Sequence, residues 1–125
     1  MTPWVLVLLA LAGGAGAVLR FVLDGVVSTR NRTRLPLGTV VINLTGSFVL
    51  GAVTGLALVH LVPGPLRLIV GTGFLGGYTT LSAASVEAAR LSATRPGTAG
   101  LVLLLAVPAA AVALAALGLL AGTAF

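Results

Sequence analysis

The sequence predicts an all-α membrane protein of four transmembrane helices, built as a single domain over residues 1–125. Three observations predict it. Hydrophobic residues make up 58% of the chain and charged residues only 7%, whereas a soluble domain carries about 25% charged residues. The mean hydropathy is +1.20, so too few polar side chains remain to coat a globule in water, and the bilayer is the solvent that fits. Finally, the apolar residues fall into four runs, at about residues 4–23, 37–61, 66–89 and 99–121, each near the roughly 20 residues that cross the hydrocarbon.

The first run contains Trp4, suited to an interfacial aromatic belt, and ends among small residues as a signal peptide would. It lacks a basic leader, and its apolar pattern continues through Val22 and Leu23, so it reads as a retained membrane helix. The second run carries Gly46, Gly51 and Gly55, the last two in small-xxx-small spacing. Such residues let helices approach closely in lipid, where apolar burial supplies no drive. His60, at the end of this run, reads as interfacial. The fourth run is apolar throughout, and Pro108 is its one irregularity, a candidate kink. Four such helices form a thin bundle, which favours oligomerisation.

The third run differs. It holds Gly71-Thr72-Gly73-Phe74-Leu75-Gly76-Gly77-Tyr78-Thr79-Thr80, and glycine inside a helix costs about 1 kcal/mol relative to alanine. Two readings stay open on the residues alone. The helix is broken, and its freed carbonyls are ligands for a small cation, or it is kinked, with threonine hydroxyls bonded back to it.

The polar punctuation gives orientation and excludes several functions. Residues 28–34, 62–65 and 90–97 separate the runs. The first loop holds Arg30, Arg32 and Arg34 and the third holds Arg90 and Arg95, against Arg67 alone on the opposite side. The positive-inside rule puts loops one and three in the cytoplasm and both termini outside. The net charge of +5 comes entirely from arginine, in short clusters without the basic stripe of a nucleic-acid binder. There is no cysteine, one histidine and two acids, Asp24 and Glu87, a poor supply for acid–base or metal hydrolysis. The chain does not read as an enzyme. Glu87 reads as a helix-end or interfacial charge.

Three segments carry a family resemblance. Gly13-Gly14-Ala15-Gly16-Ala17-Val18-Leu19-Arg20-Phe21 is a glycine-rich start ending in arginine and an aromatic residue. Gly38-Thr39-Val40-Val41-Ile42-Asn43-Leu44-Thr45-Gly46-Ser47-Phe48-Val49-Leu50-Gly51 follows the pattern G-T-x-x-x-N-x-x-G-S-F-x-x-G. Gly73-Phe74-Leu75-Gly76-Gly77-Tyr78-Thr79-Thr80, followed by Ser82, Ser85 and Glu87, is similar to G-F-x-G-G-x-T-T-F-S-T-F-S-x-E. In order, on the first three spans of a four-span chain, they resemble the FluC/CrcB family of fluoride channels of bacterial cell membranes.

The resemblance implies a fluoride-selective channel that exports fluoride passively, a third helix broken between Gly73 and Thr80, and an antiparallel dimer of inverted subunits. It implies a structural Na+ at the dimer interface, held by backbone carbonyls of Gly76 and Thr79. It makes Asn43 a pore-lining amide, with hydrogen bonding to a neighbouring helix as the plainer reading, and adds Thr80 and Ser82 to the ion pathway. Thr39, one helical turn before Asn43, falls on the same face. Arg20 matches the family arginine; it sets a positive field at a vestibule, caps a helix, or pairs with Asp24 at i+4. Tyr78 occupies a variable position of the motif and receives no role.

Two departures stand beside the matches. Leu81 and Ala84 occupy the positions of the family's pore phenylalanines, and the fourth span offers no hydroxyl between residues 101 and 120. The arginine bias is also large for a chain that would insert both ways. Together these point to one half of a two-chain channel, with an oppositely oriented related subunit preferred to a homodimer. Two rival readings remain: a small multidrug-type exporter, which lacks its acid deep in the first span here, and a non-conducting membrane assembly subunit.

Overall fold

The structure, a computed structural model, describes residues 1–33, 35–94 and 97–125. Arg34 and Arg95, two of the arginines that set the expected orientation, lie outside the described residues. Among those described, all regular structure is helical: α1 (Pro3–Arg30), α2 (Leu37–Leu58), α3 (Gly64–Arg67) running into a π-helical segment (Leu68–Leu75), α4 (Gly76–Tyr78), α5 (Leu81–Thr94) and α6 (Ala99–Thr123). Three of these, α1, α2 and α6, are long and apolar enough to cross a membrane.

The first helix runs on to Arg30, past Leu23 where the apolar run ends. No proline or glycine pair stops it, so α1 continues through Arg20 and Asp24 for about 42 Å at 1.5 Å per residue. Asparagine ends it: Asn31 Nδ2 donates to the Leu35 carbonyl at 2.7 Å, and Asn31 Oδ1 accepts from the Thr33 N–H at 2.9 Å. These local bonds offer the backbone a turn instead of another helical residue. The second helix stops at Leu58, while the apolar run continues to residue 61. Leu61 N–H bonds the Leu56 carbonyl at 2.9 Å and His60 N–H bonds that of Ala57 at 3.2 Å, a paired closure of the helix end that requires a left-handed residue. His60 supplies it at φ 63.

The expected third span is divided. Its glycine run is wound rather than open: Leu68–Leu75 is π-helical and Gly76–Tyr78 completes the turn. Thr79 is extended, at φ -83 and ψ 154, and helix resumes at Leu81. Helical winding survives in spite of the glycines because neighbouring backbone replaces side-chain packing. A Cβ at Gly77 would overlap the Gly13 carbonyl, and one at Gly16 would overlap that of Phe74, so α1 lies backbone-to-backbone on the divided span.

The other tight seam joins α2 and α6. Gly51 and Gly55 meet Ala115, Leu119 and Gly122, while Gly118 and Gly122 meet Phe48 and Ala52. Each helix places its small-xxx-small pair against the other. Between the seams sits a small core of Ile42, Leu75 and Tyr78, joined by Leu23, Val70 and Phe74. Tyr78 has a structural role the sequence did not suggest: it is 7% exposed, stacks on Phe74 at 6.3 Å between ring centroids, and shares a 3.0 Å hydrogen bond with the Thr45 hydroxyl. The bundle otherwise turns apolar side chains outward, Trp4 and Phe21 among them, as lipid requires.

Candidate functional site

Two adjoining features make up the site: the backbone around Thr79, and a groove beside it. A chain that leaves a helix frees carbonyls at the end it leaves and amides at the start of the next helix. The Leu75 carbonyl accepts from both the N–H and the hydroxyl of Thr79, each at 2.9 Å. The Gly77 carbonyl accepts from Arg20 Nε at 3.2 Å. Asn43 receives Thr80 on both sides: its Oδ1 accepts from Thr80 N–H at 2.9 Å, and its Nδ2 donates to the Thr80 carbonyl at 3.0 Å. The Thr80 hydroxyl accepts from Ala83 N–H at 3.2 Å, the geometry of an N-cap on α5. Among the described residues, no backbone hydrogen bond outside the helices reaches the carbonyl of Thr79, the extended residue between α4 and α5.

The second Asn43 amide proton goes to the Thr39 carbonyl at 2.9 Å, so both N–H donors of this half-buried side chain are engaged. Asn43 therefore stitches α2 to the interruption in the third span. The packing supports this placement, since Gly46, one turn beyond Asn43, has no Cβ to collide with the Thr79 methyl.

The groove has a volume of about 300 Å³ and runs between α2, the Thr79 region, α5 and α6. On α2, Thr39, Asn43 and Ser47 line it, a polar row at i, i+4 and i+8. Opposite them stand Thr79, Leu81, Ala84 and Ser85. The α6 wall, from Leu103 to Val112, is wholly apolar in its side chains. Pro108 lies in this wall and has no N–H for the Leu104 carbonyl.

Of the residues singled out in the sequence, Thr39, Asn43 and Thr79 meet at the groove, and the departures Leu81 and Ala84 line it too. Arg20, Gly76, Thr80 and Ser82 are not among its lining residues. Thr80 faces it only through the Asn43 bridge and the α5 cap. Arg20 makes no ion pair with Asp24; among the described residues the one salt bridge is Arg90–Glu87 at 3.5 Å. Gly76 lies on an open flank, where a Cβ would meet nothing within 4 Å. Ser47 and Ser85 were missed as lining residues. The signal for Ser47 was present, since it stands one helical turn beyond Asn43 inside the same motif.

The CrcB-like protein family (Camphor Resistance, CrcB) matches residues 7–121 of the chain. A relative named "Fluoride-specific ion channel FluC 1" from Leifsonia xyli is 53% identical over 122 residues, covering 98% of this chain and 89% of that protein. "Fluoride-specific ion channel FluC 2" of Cutibacterium acnes is 54% identical, over 64% of this chain and 66% of its own. "Fluoride-specific ion channel FluC 3" of Bifidobacterium longum is 40% identical, over 90% of this chain and 96% of its own.

Proposed function

We propose that this chain, which belongs to the CrcB family, is a fluoride-selective channel subunit forming one half of a two-chain channel. Fluoride moves passively, down its gradient and out of the bacterial cytoplasm. The observation that carries this reading is the polar row Thr39, Asn43 and Ser47 lining a groove beside the start of α5. A desolvated anion is costly unless donors replace its water. The hydroxyls of Thr39 and Ser47 do so without a fixed charge, while the Asn43 amide, its N–H groups held by the Thr39 and Thr80 carbonyls, fixes the start of α5, whose N-terminal amides add a favourable dipole.

The same interruption suits a cation on its other side. The carbonyls of Gly76 and Thr79 are hard oxygen donors at the point where the chain leaves the helix, that of Thr79 without a backbone partner outside the helices among the described residues, and hard donors fit Na+ better than a soft metal. The open flank at Gly76 leaves room for a second subunit. When bound, Na+ would supply positive charge between two such interruptions in an inverted dimer. The chain's own contribution is to hold Thr80 through Asn43 and so fix the Thr79 carbonyl next to it.

Leu81 and Ala84 support the two-chain form of the proposal. Aromatic ring edges carry partial positive charge and can face an anion, which aliphatic side chains cannot. The apolar α6 wall adds no donor either. An oppositely inserted, related subunit supplies the phenylalanines and hydroxyls that this chain lacks. The numerals in the relatives' names agree with families of related chains.

Single orientation tests the pairing. Cysteines introduced at Arg32 and at Arg67, one per variant, will be labelled from opposite sides of the cell membrane, with Arg32 reached only from the cytoplasm. Equal labelling of each position from both sides would mean dual insertion and remove the need for a partner chain.

A further inference from the structure

We propose that Arg20 is a positioning residue of the cation site, acting on cation choice by withdrawing one carbonyl from the available set. The inference rests on the sodium reading above. From Leu75 to Thr79 the backbone offers five successive carbonyls. Thr79 itself occupies that of Leu75, and Arg20 Nε occupies that of Gly77 at 3.2 Å. The Gly77 oxygen lies between those of Gly76 and Tyr78 in the chain, so it is the one whose release would most directly enlarge the donor set.

Three observations place Arg20 in this role rather than at an anion vestibule. It does not line the groove. It is half-buried on α1, where the Gly13–Gly77 and Gly16–Phe74 approaches bring that helix onto the divided span. It forms no salt bridge among the described residues, and an arginine within a membrane span is expensive unless its N–H groups are used. Its use is the Gly77 carbonyl.

The consequence is selectivity. A cation near Arg20 feels repulsion from the guanidinium and is offered few oxygens. A small, hard ion gains enough from a short, tight shell to bind there. A larger ion, which needs more and longer contacts, does not. With Arg20 removed, the Gly77 carbonyl joins the set, the repulsion disappears, and K+ gains relative to Na+.

The test uses the purified, assembled channel in a background of a large organic cation, and reads the thermal midpoint during NaCl and KCl titrations at constant fluoride. The wild-type midpoint rises with Na+ at lower concentration than with K+. In Arg20→Met the ratio of half-stabilising concentrations, K+ over Na+, falls by about threefold or more. Arg20→Gln, neutral and too short to reach Gly77 as arginine does, gives the same fall and serves where the Met variant does not assemble. An unchanged ratio in either assembled variant overturns the role of Arg20 while leaving the sodium reading intact. Failure of both variants to assemble would make Arg20 a fold residue and likewise overturn it. A wild-type midpoint indifferent to both ions removes the sodium reading and this inference together.

Discussion

In the channel assembled with its related subunit, Asn43→Ala abolishes fluoride conduction and lowers the thermal midpoint. The side chain makes three hydrogen bonds, two of them to Thr80, whose backbone leaves the helical pattern at that point. Alanine leaves the Thr80 N–H and carbonyl without these partners, and each unsatisfied buried group costs about 1–3 kcal/mol. The groove also loses its amide. Asn43→Asp separates the two effects. It keeps an acceptor for Thr80 N–H, so it is more stable than the alanine variant. It adds a negative charge facing the anion path, so it conducts no better. Liposome efflux and thermal unfolding read the two properties independently. Conduction within twofold of wild type in the alanine variant would contradict the assignment.

Gly118→Val prevents stable assembly. A side chain at Gly118 overlaps the Phe48 carbonyl and the backbone of Ala52. These are backbone atoms, which cannot rotate aside, so α6 must move away from α2. Overpacking a tight contact costs about 3 kcal/mol at the upper end of its usual range, and this seam holds together α2 and α6, which form two walls of the groove. Gly25→Ala is the matching control: nothing lies within 4 Å of its added Cβ, and alanine in a helix is favoured by about 1 kcal/mol. Size-exclusion profiles and thermal midpoints of the two variants should move in opposite directions. A monodisperse Gly118→Val protein of unchanged midpoint would mean that the α2–α6 seam is looser than described.

Much of the architecture was legible because lipid imposes a simple rule: long apolar runs separated by polar or Pro/Gly punctuation. The ends of α1 and α2 were less legible. They are set by Asn31 bonding its own loop and by His60 adopting φ 63, events that hydropathy does not register. The Gly51–Gly55 spacing was visible, but its counterpart Gly118–Gly122 lay in a run that looked featureless. Likewise, i+4 spacing made Arg20–Asp24 a plausible pair, whereas the close approach of α1 to Gly77 gives Arg20 a carbonyl instead. Asn43 stood out from its motif, but its two-sided grip on Thr80 joins residues 37 positions apart in the chain, which no local spacing reveals. Tyr78 was unreadable for a similar reason: its partners Thr45 and Ile42 come from another helix.

If this chain is one half of a two-chain channel, it conducts fluoride only with an oppositely inserted relative that completes the groove left apolar by Leu81, Ala84 and α6. Fluoride efflux from liposomes tests this most directly, comparing this chain alone with this chain co-purified with a related four-span chain from the same genome, with chloride as control. Silence from the folded chain alone and fluoride-selective efflux from the pair are the expected results. Fluoride efflux from the chain alone would contradict the two-chain claim, and silence from both folded preparations would contradict conduction itself in favour of a membrane assembly role.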